Sequence, residues 1–151
     1  MTVYAPMPTA HLWAGTWKHD SRRSSSVRKI WSCMGAGTLS KQKLAALSQD
    51  VTIELIGSGN HWKFIQNGSM GKREYLFTGT EFKQLNHSKS PVYTTCEWSD
   101  GRVWMRERHR NEKYIIDQAE EISADGSTRT VLTHVRGPVK EGLFVTYYTK
   151  A

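Results

Sequence analysis

Short strand-like segments, separated by sequences suited to tight turns, fill almost all of the chain after residue 50. Breaks such as Asn67-Gly68, Asp100-Gly101 and Asp125-Gly126 have the chemistry of β-hairpin turns. The predicted strands are 15–18, 51–56, 61–66, 73–78, 81–86, 92–98, 102–110, 113–122, 128–135 and 143–149. Consecutive strands without intervening helices predict a mainly β fold, a ten-stranded antiparallel up-and-down β-barrel, because closure removes exposed sheet edges.

A helical segment interrupts this pattern between the first and second predicted strands. Val27, Ile30, Trp31 and Met34 fall at the i, i+3, i+4 and i+7 positions of one helix face, after a run of serines able to cap the helix. A weaker helical pattern follows at 39–47. The insert is therefore predicted to form a two-helix lid over the barrel.

Length and composition favour a single small domain. The 151 residues predict one barrel domain at 13–151 behind a flexible arm at 1–12. Cys33 and Cys96 have no metal-ligand spacing, so we expect reduced thiols, no metal site and no cofactor. No run approaches the roughly 20 apolar residues of a membrane span, which favours a soluble, cytoplasmic protein, expected to be monomeric.

Five short motifs, in order from residue 15 to the end, resemble the intracellular lipid-binding proteins, which include the fatty-acid-binding and cellular retinoid-binding proteins and are calycin-like. They are Gly15-Thr16-Trp17-Lys18, the two-helix insert, Gly79-Thr80-Glu81-Phe82, Asp125-Gly126 and Tyr148-Thr149-Lys150. The resemblance implies a ten-stranded barrel, a helical portal and non-catalytic transport of a lipophilic ligand, such as a fatty acid or retinoid, in an internal cavity.

The chain departs from that family where its fatty-acid binders hold a carboxylate. Those members use an arginine on the eighth strand and an Arg-x-Tyr on the tenth. Here Tyr148 is kept, whereas the arginine positions align with Thr146 and Glu120. A carboxylate ligand would meet a like charge in a low-dielectric interior. A neutral polar head, such as an alcohol, an aldehyde or a sterol hydroxyl, therefore suits the sequence better.

Strand alternation predicts which side chains face the interior. With Tyr148 inward, every second residue of the sixth strand from Val92 to Cys96, and of the seventh from Val103 to His109, is predicted to face inward. On the ninth strand the predicted inward residues are Thr130, Leu132 and His134. The predicted ligand contacts are Tyr148, Thr146, Glu120, Gln118, Trp62, Phe64, Phe82, Met105, Ile30 and Met34. Trp17 is predicted to be structural. A barrel filled by its own side chains is the alternative.

Basic residues leave two binding alternatives open. The stripe Arg102, Arg106, Arg108 and Arg110 around Trp104 suits either a nucleic-acid platform or, more simply, a solvated strand face. Nucleic acid is therefore not the expected partner. Lysines and arginines around the predicted lid would suit transient docking on anionic membranes, or only solubility.

An enzyme acting on a lipophilic substrate is the third alternative. Glu107, His109, Glu120 and His134, if all inward, could pair as acid and base. They form no recognised catalytic motif, and the sequence contains no nucleophile elbow or phosphate-binding loop. The prediction is that the protein is not an enzyme.

Overall fold

The computed structural model describes residues 10–24, 33, 50–56, 61–68, 71–77, 81–85, 91–99, 101–109, 114–138 and 140–151. The predicted helices at 27–34 and 39–47 lie outside these residues, apart from Cys33, so the two-helix lid stays a prediction. The same is true of residues 1–9 of the predicted arm.

One short helix and a single antiparallel sheet make up the described chain. The helix is α1 (Ala10–Trp13). The strands are β1 (Gly15–His19), β2 (Asp50–Ile56), β3 (His61–Gly68), β4 (Gly71–Phe77), β5 (Phe82–Leu85), β6 (Pro91–Ser99), β7 (Arg102–His109), β8 (Ile115–Ile122), β9 (Thr128–Arg136) and β10 (Glu141–Lys150). The predicted mainly β, antiparallel class is confirmed.

The sheet has the order β4-β3-β2-β1-β10-β9-β8-β7-β6-β5. Apart from β4 and β5, strands that are neighbours in sequence pair with each other, and β1 also pairs with β10, where Trp17 lies opposite Lys150. This pairing joins the two ends of the chain. Within the described residues β4 and β5 are the ends of the order, without a pairing between them. Closure into a complete barrel is therefore kept as a prediction.

Burial alternates along the strands as the period of two requires. On β6, Val92, Thr94 and Cys96 are at most 8% exposed. On β7, Val103 is buried between the exposed Arg102 and Trp104, and His109 is buried as well. The inward faces predicted for these two strands are confirmed.

The prediction for β9 was wrong by one residue. Leu132 is 41% exposed, whereas Val131 and Val135 are buried. The register explains the difference, because Glu120 on β8 pairs with Val131, and paired residues share a face of the sheet. The inward row of β9 is therefore Arg129, Val131, Thr133 and Val135, which places His134 outside.

Two apolar clusters occupy the interior face. The larger one packs Trp13 of α1 against Trp17, Ile53, Trp62 and further side chains of β2, β3, β6 and β7. Trp17 is 0% exposed, and its Nε1 donates to the carbonyl oxygen of Trp13 at 2.9 Å. These contacts are consistent with the structural role predicted for Trp17.

The smaller cluster contains Cys33, Val135 and Phe144, with Ile116 packed against it. Cys33 is 2% exposed and, like Cys96, is a free thiol. Because Cys33 belongs to the segment between β1 and β2, the contact fixes one point of that segment against β9 and β10.

Candidate functional site

Polar side chains cross the interior face of β8, β9 and β10 in three adjacent rows. Strand pairing aligns Thr146 with Val131 and Glu120 in one row, and Thr133 with Gln118 and Met105 in the next. In the third row, which adjoins the row of Thr146 on its other side, Tyr148 aligns with Arg129. The structure therefore brings together five of the predicted ligand contacts: Tyr148, Thr146, Glu120, Gln118 and Met105.

An ion pair is buried among these rows. Arg129 Nη2 donates to Glu120 Oε1 at 2.6 Å, and the two side chains are 4% and 5% exposed. Burying either charge alone would be costly, and the pair offsets much of that cost. Arg129 was not predicted as a site residue because the opposite face of β9 was predicted to be inward. Glu120 thus has a countercharge that the alignment of arginine positions did not reveal.

The second oxygen of Glu120 differs from the first. Glu120 Oε2 is buried and has no hydrogen-bond partner among the described residues. An unsatisfied buried polar atom costs about 1 to 3 kcal/mol. The site therefore holds an acceptor directed at a donor that the described part of the chain does not supply.

Tyr148 lies beside this pair. The guanidinium carbon of Arg129 is 4.6 Å from the centre of the Tyr148 ring, and the ring of His19 meets the other side edge-on at 5.7 Å. Burial raises the pKa of the Tyr148 phenol, and Glu120 raises it further, while Arg129 opposes both. The phenol therefore stays protonated at neutral pH and can donate a hydrogen bond.

Gln118 and Cys96 continue the polar rows toward the smaller cluster. Gln118 Nε2 donates to Thr133 Oγ1 at 3.2 Å. Burial, with the negative charge of Glu120, raises the pKa of the Cys96 thiol well above its ordinary value. Cys96 is accordingly a neutral, unreactive thiol in this setting.

The predicted aromatic contacts belong to the packed core. Trp62 is 5% exposed and Phe64 is 1% exposed, with ring centres 6.3 Å apart. Trp13 covers Trp62 on another side at 5.3 Å. At this end of the sheet the interior is therefore filled by side chains. The backbone of Phe82 pairs with Thr94, while its side chain, Ile30 and Met34 lie outside the described residues.

The four residues considered from the sequence as acid and base do not all lie on one face of the sheet. His134 lies on the outer face, where its Nε2 is 3.5 Å from Glu141. Glu107 accepts from Tyr114 Oη at 3.4 Å, and His109 packs against the Tyr114 ring at 5.3 Å. Glu120, the remaining candidate, is paired with Arg129 instead.

The arginine stripe of β7 is solvent-exposed and neutralised. Arg102, Arg106 and Arg108 pair with Glu121, Asp117 and Glu81 at 3.1, 2.6 and 3.1 Å. Arg110 lies outside the described residues. Carboxylates beside each described guanidinium compete with phosphate for it, which fits a solvated strand face better than a nucleic-acid platform.

A groove of about 690 Å³ runs over the outer face of β6 to β10. Trp104 and Leu132, which are 39% and 41% exposed, lie in it with Leu143. Met105 and Gln118 border it, but Glu120, Thr146 and Tyr148 do not. The groove therefore touches the row of Gln118 but not the rows of Glu120 and Tyr148.

Over the described ranges, no group of three or more histidine, cysteine or acidic side chains is placed to hold a metal ion. None of the helices in that part of the chain is long and apolar enough to span a membrane.

Solved structures with the same architecture were found. Fatty-acid-binding protein 1 of Echinococcus granulosus superposes with a TM-score of 0.76 at 15% identity, over 93% of this chain and 98% of that protein. The fold is that of the intracellular lipid-binding proteins. The predicted resemblance to that family is thereby confirmed as a likeness of fold. By sequence, neither a protein-family model nor a curated protein matches the chain.

Two further structures with the lipid-binding fold extend the comparison. A Schistosoma mansoni fatty acid binding protein in complex with arachidonic acid gives a TM-score of 0.69 at 16% identity, covering 95% of this chain and 98% of its own. Human cRBP IV gives 0.69 at 17% identity, covering 91% and 97%. These two alignments therefore cover 91% or more of this chain.

Proposed function

We propose that this protein binds and transports a small lipophilic ligand, held against the interior face of its sheet, without catalysing a reaction. The polar rows on the interior face of the sheet carry this proposal. Glu120, Arg129, Gln118 and Tyr148 lie between two apolar clusters, where a chain folding only to pack would place apolar residues. Apolar walls with a few convergent polar groups are the usual composition of a small-molecule site.

The fold supports the same proposal. The proteins that share it are named for binding fatty acids or lipids, and one holds arachidonic acid. At 15% and 16% identity the likeness is one of architecture, and the residues of this chain determine its ligand.

The ligand is proposed to lie against Met105, with its polar end at Tyr148 and with Thr146, Gln118 and Glu120 as neighbours. Trp62, Phe64 and Phe82 would form the apolar wall. Ile30 and Met34, on the proposed lid, would line the entrance. The contact of Cys33 with Val135 and Phe144 supports this placement, since it brings the segment between β1 and β2 onto the interior face.

The expected affinity follows from the apolar area. Burying about 400 Å² of ligand surface at about 25 cal/mol per Å² yields roughly 10 kcal/mol before the costs of ordering. Those costs leave an expected Kd between about 1 μM and about 1 nM.

Monomeric, cytoplasmic transport is part of the same proposal. Transient docking on anionic membranes remains a secondary proposal. Lys18, Arg22 and Arg23 near the end of β1 are exposed, but Arg23 Nε pairs with Asp20 Oδ2 at 2.8 Å. A dependence of ligand transfer on anionic lipid content would support docking.

The decisive experiment is recovery of the ligand. The full chain, purified without detergent, is weighed by native mass spectrometry, and the extracted material is identified. An adduct of lipid mass that is recovered unchanged supports binding without turnover. If the delipidated protein neither carries nor takes up any lipid or fluorescent lipid analogue, the proposal is wrong.

A further inference from the structure

The two oxygens of one buried carboxylate have different surroundings. Glu120 Oε1 accepts from Arg129 Nη2 at 2.6 Å. Glu120 Oε2 has no hydrogen-bond partner within the described ranges, and the side chain is only 5% exposed. Bulk water therefore does not solvate Oε2. An ionised carboxylate oxygen only accepts hydrogen bonds, so the missing partner must be a donor.

The charges around Glu120 restrict the donor. On the interior rows of β6 to β9, the described residues include two carboxylates, Glu107 and Glu120, and one guanidinium, Arg129. A ligand carboxylate would add a further negative charge to this buried region and, when ionised, could not donate to Oε2. An uncharged hydroxyl adds no charge and can donate.

We propose that Glu120 Oε2 accepts a hydrogen bond from the hydroxyl group of an uncharged lipid, so that the ligand is a long-chain or polycyclic alcohol rather than a carboxylic acid. The inference rests on the proposed lipid-binding function and adds the head group to it. Thr146 lies in the same row as Glu120, and Tyr148 in the adjacent row. Their hydroxyls can donate to the lone pairs of the ligand oxygen while Val131 and Val103 flank Glu120.

Three lipids with one hydrocarbon chain test the head group directly. Oleyl alcohol, oleic acid and methyl oleate are titrated into the delipidated full chain at neutral pH, each displacing a fluorescent lipid analogue. The alcohol is expected to bind at least about tenfold more tightly than the acid and than the ester, which has no donor. Equal or tighter binding of the acid, or equal binding of the ester, would overturn the proposal.

The same titration tests lipid binding and the role of Glu120 Oε2 separately. If neither the analogue nor any of the three lipids binds, the proposed function itself fails. If the lipids bind without preference for the alcohol, lipid binding stands and the role of Glu120 Oε2 fails.

Adjacent glutamates on opposite faces provide a matched pair of variants. Glu120→Gln removes the buried charge, so the affinity for oleic acid should rise by about tenfold relative to the alcohol. Glu121 is 53% exposed and pairs with Arg102, so Glu121→Gln should keep the wild-type preference. The same preference in both variants contradicts the proposal. If Glu120→Gln does not fold, the wild-type comparison of the three lipids decides alone.

Discussion

Arg129 and Glu120 form an ion pair of 2.6 Å on the interior face of the sheet, and neither side chain is more than 5% exposed. The pair joins β8 and β9 where the proposed ligand head would lie. Its position makes the stability of the sheet and the chemistry of the site depend on the same two side chains.

Removing one partner should destabilise the protein strongly. Arg129→Met leaves the Glu120 charge buried alone, and we expect a loss of about 3 to 5 kcal/mol in the free energy of unfolding, measured with urea. The double variant Glu120→Leu with Arg129→Met should lose less than Arg129→Met. Arg102→Met, at an exposed pair, should lose less than about 1 kcal/mol. If the loss in the double variant equals the sum of the losses in Glu120→Leu and Arg129→Met, the two side chains are not a coupled pair.

Tyr148 and Tyr147 separate the two faces of β10. Tyr148→Phe removes the phenol beside Arg129 and should weaken ligand binding by about 1 kcal/mol, or about fivefold in Kd. Tyr147 packs with Arg23 on the opposite face, so Tyr147→Phe should leave Kd unchanged. Both are measured by displacement of a fluorescent lipid analogue. Equal Kd values for the two variants would remove Tyr148 from the site.

His19 should make stability depend on pH. Burial lowers the pKa of His19 below 6.5, against the opposing charges of Asp20 and Asp50. The unfolded chain therefore binds a proton at His19 more readily than the folded protein does. The contribution of neutral His19 to folding stability is complete above pH 6.5 and is lost as the pH falls through the folded-state pKa.

His19→Phe keeps an aromatic ring against Tyr148 and removes this titration. Between about pH 7.5 and about pH 5, the free energy of unfolding should fall further for the wild type than for the variant. His11→Phe, at an exposed position, is the control and should follow the wild type. Parallel curves for wild type and His19→Phe would show that His19 does not contribute.

Two turn glycines with the same backbone angle allow a packing contact to be measured. Gly101 and Gly126 both have φ of 74°, so alanine at either should cost about 1 to 2 kcal/mol. A Cβ at Gly126 would also meet Leu12 Cδ2 at 3.3 Å, whereas no atom of the described residues lies within 4 Å of a Cβ at Gly101. Thermal unfolding should therefore show the larger loss for Gly126→Ala. The reverse order would mean that Leu12 does not pack there.

The strands were predictable because hydrophobic alternation and turn residues indicate the same boundaries. The ninth strand shows the limit of that reasoning. Val131 and Leu132 are adjacent and both apolar, so composition does not decide which one faces inward. The hairpin decides it, since the turn around Asp125 pairs Ile122 with Arg129 and hence Glu120 with Val131.

That register was the signal that could have found Arg129 from the sequence. Hydrogen bonds hold the turn together: Asp125 Oδ1 accepts from Ser123 Oγ at 2.6 Å and from Ser127 Oγ at 2.7 Å, which lowers the pKa of Asp125 to about 2. Reading the hairpin outward from this turn places Arg129 beside Glu120. Contacts between residues far apart in sequence, such as the packing of Trp13 on Trp62, depend on the tertiary fold, and no local sequence pattern predicts them.

The pairing of β1 with β10 also has a consequence during synthesis. The strand that carries Trp17 can acquire its second neighbour only after β10, which ends at Lys150, has left the ribosome, so the sheet is incomplete until then. Until then one side of β1 exposes unpaired backbone groups, the kind of edge that recruits other chains. A polypeptide truncated before β10 should therefore aggregate rather than persist as a smaller folded protein.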